Sequence, residues 1–259
     1  MGKNRIGEQF KTNEGYEIVI VKYNGCKNVS VEFQDEYKAV VNNLIYSNIK
    51  KGEVKNPYHP SVYGIGYFGV GDYKSRDEQG NITKAYHDWI HMIKRGYDEE
   101  LKNKYPTYKD VIVYKGWHNF QNFAEWWYNN YYEIEGEQMN LDKDILYKGN
   151  KIYSPDTCIF VPKRINTLFC KSDTSRGSLP IGVYYHKARG KYCSQCNILV
   201  DNNDTKRKYL GIYNTPEQAF LVYKRFKEAY IKEVADKYKD IIPKELYDAM
   251  CNWIIEIDD

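Results

Sequence analysis

The sequence predicts a modular α+β protein, and three stretches carry the prediction. Residues 16–33 alternate β-forming side chains around an Asn24-Gly25 turn. From Thr83 onward, apolar and aromatic residues recur at helical spacing. Between Ile181 and Tyr238, three short β-like runs precede one long amphipathic helix. These stretches divide the chain into a small β domain at 1–72, a helical domain running into two strands and a helix start at 83–170, and a sheet-plus-helix domain at 178–259.

In the first segment, Tyr16 to Tyr23 and Asn28 to Phe33 flank the turn, and a third run, Tyr37 to Ile45, completes a small curled sheet. The glycine-rich stretch Gly64 to Gly71 reads as a tight connector, and the polar residues 73–82, with Gly80, as a linker. Trp89, Ile93 and Tyr97 then share one helix face with Met92 beside them. A second helix starts at the N-cap Asn119 and places Phe120, Phe123 and Trp127 inward, with Trp126 and Tyr131 adjacent. Near the C-terminus, Thr215 is an N-cap, Pro216 suits the first helical position and Gln218 completes a capping box. Ala219, Tyr223, Phe226, Tyr230, Val234 and Tyr238 form the apolar stripe of that helix, and a last helix follows Pro243, using Leu246, Met250, Trp253 and Ile254.

The formal charge is only +3, which excludes a polycation, but the charge is unevenly placed. Lys163 to Gly211 holds ten Lys or Arg against three Asp, a local +7, so the remainder carries −4. A basic block beside an acidic remainder points to one face that meets phosphate. The 27 tyrosines match the chain's many Lys, Asn and Ile, the compositional habit of an AT-rich genome. Met1–Gln9 is polar, so no signal peptide is expected, and no run of apolar residues is long enough for a membrane span. Six scattered cysteines suit a reducing compartment, so a soluble protein in the cytoplasm (of a host cell, if phage-encoded) is expected.

The most informative segment opens Ile181-Gly182-Val183-Tyr184-Tyr185, continues with Arg189-Gly190-Lys191-Tyr192, and then with Lys208-Tyr209-Leu210-Gly211-Ile212-Tyr213. Asn214-Thr215-Pro216-Glu217-Gln218-Ala219 and the long helix follow. This order of parts resembles the AP2 domain, a three-stranded sheet backed by one helix that reads DNA. The resemblance implies major-groove contacts from Tyr185, His186, Lys187, Arg189, Lys191, Tyr192, Gln195 and Lys208. Arg189 is suited to guanine and Gln195 to adenine, while Lys187, Lys191, Lys206, Arg207 and Lys208 are phosphate partners. Lys163, Arg164, Lys171 and Arg176 extend the basic track. Strand period alone leaves open which face of the sheet is turned outward.

Upstream, Leu141-Asp142-Lys143-Asp144-Ile145-Leu146, Gly149-Asn150-Lys151, Cys158-Ile159-Phe160-Val161-Pro162 and Arg164-Ile165-Asn166 run strand, loop, strand, helix start. That order and spacing resemble the HNH, or ββα-metal, nuclease motif. The resemblance implies Asp142 or Asp144 and Asn166 as ligands of Mg²⁺, and Asn150 as the residue orienting the general base. The base position, a histidine in that family, falls here on Lys143. A lysine flanked by two aspartates holds its proton at neutral pH, so it cannot take one from water. His87 and His91, at i and i+4, have no Glu between them and are expected at the surface. Cys193 and Cys196, with Cys158 and Cys170, would be thiols enough for zinc, but residues three apart in a strand face opposite ways, so small half-buried thiols are expected.

Together the two resemblances imply a phage or mobile-element protein on an HNH/AP2 nuclease scaffold that binds double-stranded DNA. The β-runs of 1–72 are expected to form an SH3-like barrel, and similar leading segments occur in phage DNA-binding proteins. The alternatives are an active divergent HNH endonuclease using Mg²⁺, and a counter-defence or accessory factor whose partner is a host protein.

Overall fold

A computed structural model describes residues 4–170, 177–200 and 204–259. Lys171 and Arg176, expected on the basic track, lie outside the described residues. Eleven strands and seven α-helices occur among the described residues, in four small sheets. The protein is mixed α+β, and it divides into two compact units: 1–129 with 151–154, and 130–150 with 155–259.

The first unit opens with β1 (Gln9–Lys11), β2 (Glu17–Tyr23), β3 (Val29–Phe33) and β4 (Val40–Leu44), an antiparallel meander in chain order. Ile18, Ile20, Val29, Val31 and Phe33 bury one face against Ile49 and Val54. The expected SH3-like barrel is not closed. β1 and β4 stay at opposite edges of the sheet, and register shifts at Ile20/Lys22 and Val29/Val31 bend it without bringing those edges together. A three-residue β1 offers too short an edge to seal a barrel.

After the short α1 (Tyr46–Lys50) comes α2 (Lys84–Tyr97), with the Thr83 hydroxyl accepting from Tyr86 N at 3.3 Å. Trp89, Met92 and Ile93 are fully buried, and Trp89 Nε1 donates to the Trp117 carbonyl at 2.7 Å. The short α3 (Glu99–Lys104) and β5 (Ile112–Val113) lead to α4 (Phe120–Asn130). Asn119 Oδ1 caps α4 by accepting from Gln121 N at 3.0 Å, and Phe120, Phe123 and Trp127 point inward. Burying side chains of this size contributes about 1.5–3 kcal/mol each, which makes the aromatics the main source of cohesion here.

The second unit is built around one long helix. β6 (Met139–Asp142) pairs antiparallel with β8 (Ile159–Pro162), while β7 (Ile152–Tyr153) between them belongs to the first unit. α5 (Lys163–Asn166) follows β8 directly, so strand, loop, strand and helix start come in the expected order. β9 (Val183–His186), β10 (Lys191–Val200) and β11 (Asp204–Tyr213) form an antiparallel sheet in the order β11-β10-β9. α6 (Pro216–Tyr238) packs its first half on that sheet through Ala219, Phe220 and Tyr223, and its second half on Val161, Ile165 and Leu168.

Thr215 caps α6 by accepting from Gln218 N at 3.3 Å, and Gln218 Oε1 returns to Asn214 N, one residue outside the usual capping box. The buried stripe is Ala219, Phe220, Tyr223, Lys227, Ile231, Val234 and Ala235, so it is rotated from the expected one. Phe226, Tyr230 and Tyr238 sit half-buried at its flank. α7 (Lys244–Cys251) buries Leu246 and Met250 but ends before Trp253. Ile254, expected inside, is exposed, and Ile255 takes the core position instead. A chain that leaves the helix loses the period of 3.6 on which the expectation rested. No helix of the described residues is long and apolar enough to cross a membrane.

Candidate nucleic-acid interface

The three-stranded sheet has one face on α6, and register assigns the other. Val183 is buried on the helix side and pairs with Ser194, so Tyr184, Cys193, Gln195 and Asn197 alternate onto the opposite face. Arg207 pairs with Asn197 and Tyr209 with Gln195, which puts both on that outward face too. The register shift at Ser194/Gln195 leaves Leu210 as an extra residue in β11 and offsets its alternation by one, so Tyr213 falls on the helix side with Tyr192. Cys193 is buried to 1% beneath Tyr184 and Tyr209. Both phenols titrate above their ordinary value: Tyr184 chiefly through its hydrogen bond to the Cys193 thiol, Tyr209 first through desolvation.

The positive charge lies close to these rings. Arg207 acts on the Tyr184 phenol and Arg189 on that of Tyr209, in each case pulling the pKa back down. Arg189 and Lys187 occupy a short 3-10 turn between β9 and β10, closed by Gly190 at φ +62°. Lys191 follows at the start of β10, paired with His186. Across 183–200 and 204–213 the sole carboxylate is Asp204. The outward face therefore carries guanidinium, ammonium, amide and phenol groups with almost no opposing charge.

The residues singled out from sequence fall into two sets. Arg189, Lys191, Gln195 and Arg207 are on the outward face or its rim, and Lys187 sits in the turn. Tyr185 and Tyr192 pair on the helix side, their rings 5.2 Å apart, and Tyr192 packs into the helix–sheet core. Lys208 pairs with the buried Cys196 and carries its ammonium 4.6 Å over the Phe226 ring; Lys206 alternates onto the same side. Tyr184, Asn197 and Tyr209 lie outward without having been singled out. Their signal was strand parity, which needs the register before it can be used.

The ββα loop is tied down at both ends. Asp142 Oδ1 accepts from Asp144 N at 2.9 Å and Ile145 N at 2.8 Å, turning the chain sharply out of β6. Lys143, only 7% exposed, donates from Nζ to the Asn150 carbonyl at 3.1 Å and pairs with Asp144 Oδ2 at 3.2 Å. Asn150 Nδ2 donates back to the Lys143 carbonyl at 2.6 Å. Lys143 and Asn150 are thus brought together, but the ammonium's contacts with the Asn150 carbonyl and Asp144 use its protons, and a general base needs a free lone pair.

Burial, and then the nearby Asp144 carboxylate, push the Asp142 carboxyl up to about 6. Mg²⁺ is commonly held by one or two carboxylates with water and substrate phosphate, so Asp142 and Asp144 are the donors that would hold it, polarising a phosphate. The set is thin: Asp144 is already paired with Lys143, and no group of three or more His, Cys, Asp or Glu converges among the described residues. Asn166 ends α5, its carbonyl accepting from Phe169 N at 3.1 Å. Compared with protein-family models, with curated proteins and with solved structures, the chain matches none.

Proposed function

We propose that the protein binds double-stranded DNA through the outward face of the β9–β11 sheet, as a phage or mobile-element protein built on an HNH/AP2 nuclease scaffold whose catalytic centre is degenerate. One observation carries the reading: Arg189, Lys191, Gln195 and Arg207 share that face and its rim with Asn197, Tyr184 and Tyr209, almost free of carboxylates. Such a surface offers cations to phosphates and planar amide or guanidinium groups to base edges. Binding without cleavage is favoured because the position aligned with the family's base is an ammonium committed to the Asn150 carbonyl and Asp144.

A metal-dependent nuclease is the competing reading. It is favoured by the mutual repulsion of Asp142 and Asp144, which a divalent cation would relieve. Incubation with supercoiled plasmid, with Mg²⁺ or Mn²⁺ and with EDTA, beside Asp144→Ala, separates the two. Retardation that weakens with salt, without nicking, is the expected result. Metal-dependent nicking that Asp144→Ala abolishes would replace it with the nuclease reading. Neither binding nor cutting at low salt would turn the search to a host-protein partner.

A further inference from the structure

One lysine in the second unit stands where an apolar residue belongs. Lys227 is i+4 from Tyr223 and i−4 from Ile231 on the buried stripe of α6, and it is 6% exposed. Among the described residues its ammonium has neither a hydrogen-bond acceptor nor an ion-pair partner. Burial lowers its pKa, opposed by the thiols of Cys196 and Cys170. Its ammonium is not among the fully buried side-chain atoms without a partner, so although the stem is packed in the stripe the charged end opens onto free space.

The same lysine lines a cavity of about 620 Å³ between the end of α5, the chain entering β9, and the uncovered edge of β10. That volume is in the range of sites for small molecules. Arg207 is a second cation in the wall, Gln195 and Asn197 supply amides, and Tyr184 and Tyr223 supply rings. No Asp or Glu is among the described lining residues. A lining of cations, amides and aromatic rings without a described carboxylate matches an anionic ligand with a flat polar body.

We infer that this cavity binds a phosphate monoester of nucleotide size, with Lys227 holding the phosphate and Arg207, Gln195 and Asn197 meeting the remainder. A phosphate oxygen supplies the acceptor that the Lys227 ammonium lacks, in surroundings where a charge-assisted bond is strong. The phosphate belongs either to a free nucleotide or to a nucleotide of DNA, and the two sources share this chemistry. The inference stands without the duplex-binding reading, since it requires no contact with a groove.

Calorimetric titration of the whole chain with deoxyadenosine monophosphate, deoxyadenosine and inorganic phosphate tests it. The monophosphate is expected to bind at least about tenfold tighter than the nucleoside, and Lys227→Met to lose at least about tenfold. Equal affinity for nucleotide and nucleoside, no binding of any probe at millimolar concentration, or undiminished binding by a folded Lys227→Met would overturn the inference. If Lys227→Met does not fold, Arg207→Gln, altered at an exposed residue, is titrated instead. Lys227 in the unaltered chain is then labelled with an amine reagent, and protection by the monophosphate is required. Displacement of the nucleotide by duplex assigns the phosphate to DNA, and simultaneous binding assigns it to a free ligand. Duplex retardation, read separately, fails or succeeds without deciding this site.

Discussion

Asn150 and Lys143 hold each other by their main chains: the Asn150 amide donates to the Lys143 carbonyl at 2.6 Å, and the Lys143 ammonium to the Asn150 carbonyl at 3.1 Å. This reciprocal pair closes the loop that leaves β6. Asn150→Ala removes one of the two bonds, at an expected cost of about 0.5–1.5 kcal/mol. Denaturant unfolding of the variant measures it, and an unchanged midpoint would show that the pair does not hold the loop.

The two sets of basic residues in the sheet predict unequal effects on DNA. Arg189→Ala and Arg207→Ala are each expected to weaken duplex binding by about 1–3 kcal/mol if they reach base edges, or to reduce the salt slope by about 1 if they meet phosphate. Lys208→Ala is expected to cost less affinity than either, because its ammonium already rests on the Phe226 ring. Fluorescence anisotropy at several salt concentrations reads both quantities. A larger loss for Lys208→Ala than for both arginines would reverse the assigned face.

Gly182 is required by space as well as by backbone. It has φ +78°, and a Cβ there would lie 2.1 Å from Tyr223 Cδ2. Gly182→Ala is expected to destabilise the second unit by at least about 1–3 kcal/mol. Gly190 at φ +62° has only the Tyr185 hydroxyl nearby, at 3.8 Å, so Gly190→Asn should be close to neutral. Thermal unfolding of the two variants side by side gives the contrast, and similar losses for both would refute the steric argument.

Acid should weaken the first unit through its histidines. Burial lowers the pKa of His118, whose Nε2 shares a 2.8 Å hydrogen bond with the Tyr97 hydroxyl. His91 is lowered by burial and then by His87. Because the folded pKa lies below the unfolded one, the unfolded chain takes protons first. Stability is therefore complete above the unfolded value of about 6.5 and is lost as pH falls through the folded value. His118→Gln keeps a polar partner for Tyr97 and cannot titrate, so its unfolding temperature should fall less between about pH 7 and pH 5 than that of the unaltered chain. Parallel curves would remove His118 from the account.

The helix starts were legible because they are local. Thr83, Asn119 and Thr215 each accept a bond from a backbone N–H two or three residues on, a relationship contained in a few residues of sequence. The β6–β8 pair followed by α5, and the β9–β10–β11 sheet followed by α6, were likewise legible from runs of β-formers and turn residues. Less was legible where distant parts meet. Barrel closure at β1 and β4 depends on two edges reaching each other, and which strip of α6 is buried depends on the sheet and the β8–α5 segment it packs against, so Phe220, Lys227, Ile231 and Ala235 turn inward in place of Phe226, Tyr230 and Tyr238.

By itself, then, the sequence determined the mixed α+β class, the order of elements and their caps, all of which follow from local backbone preference and side-chain period. Tertiary structure decided which residues share a surface. Strand register put Arg207, Gln195 and Tyr184 outward and turned Lys208 toward Phe226. The packing of α6 buried Lys227 beside a cavity. Those outcomes depend on contacts between residues far apart in the chain, and a side chain's exposure and charge environment exist only once such contacts have formed.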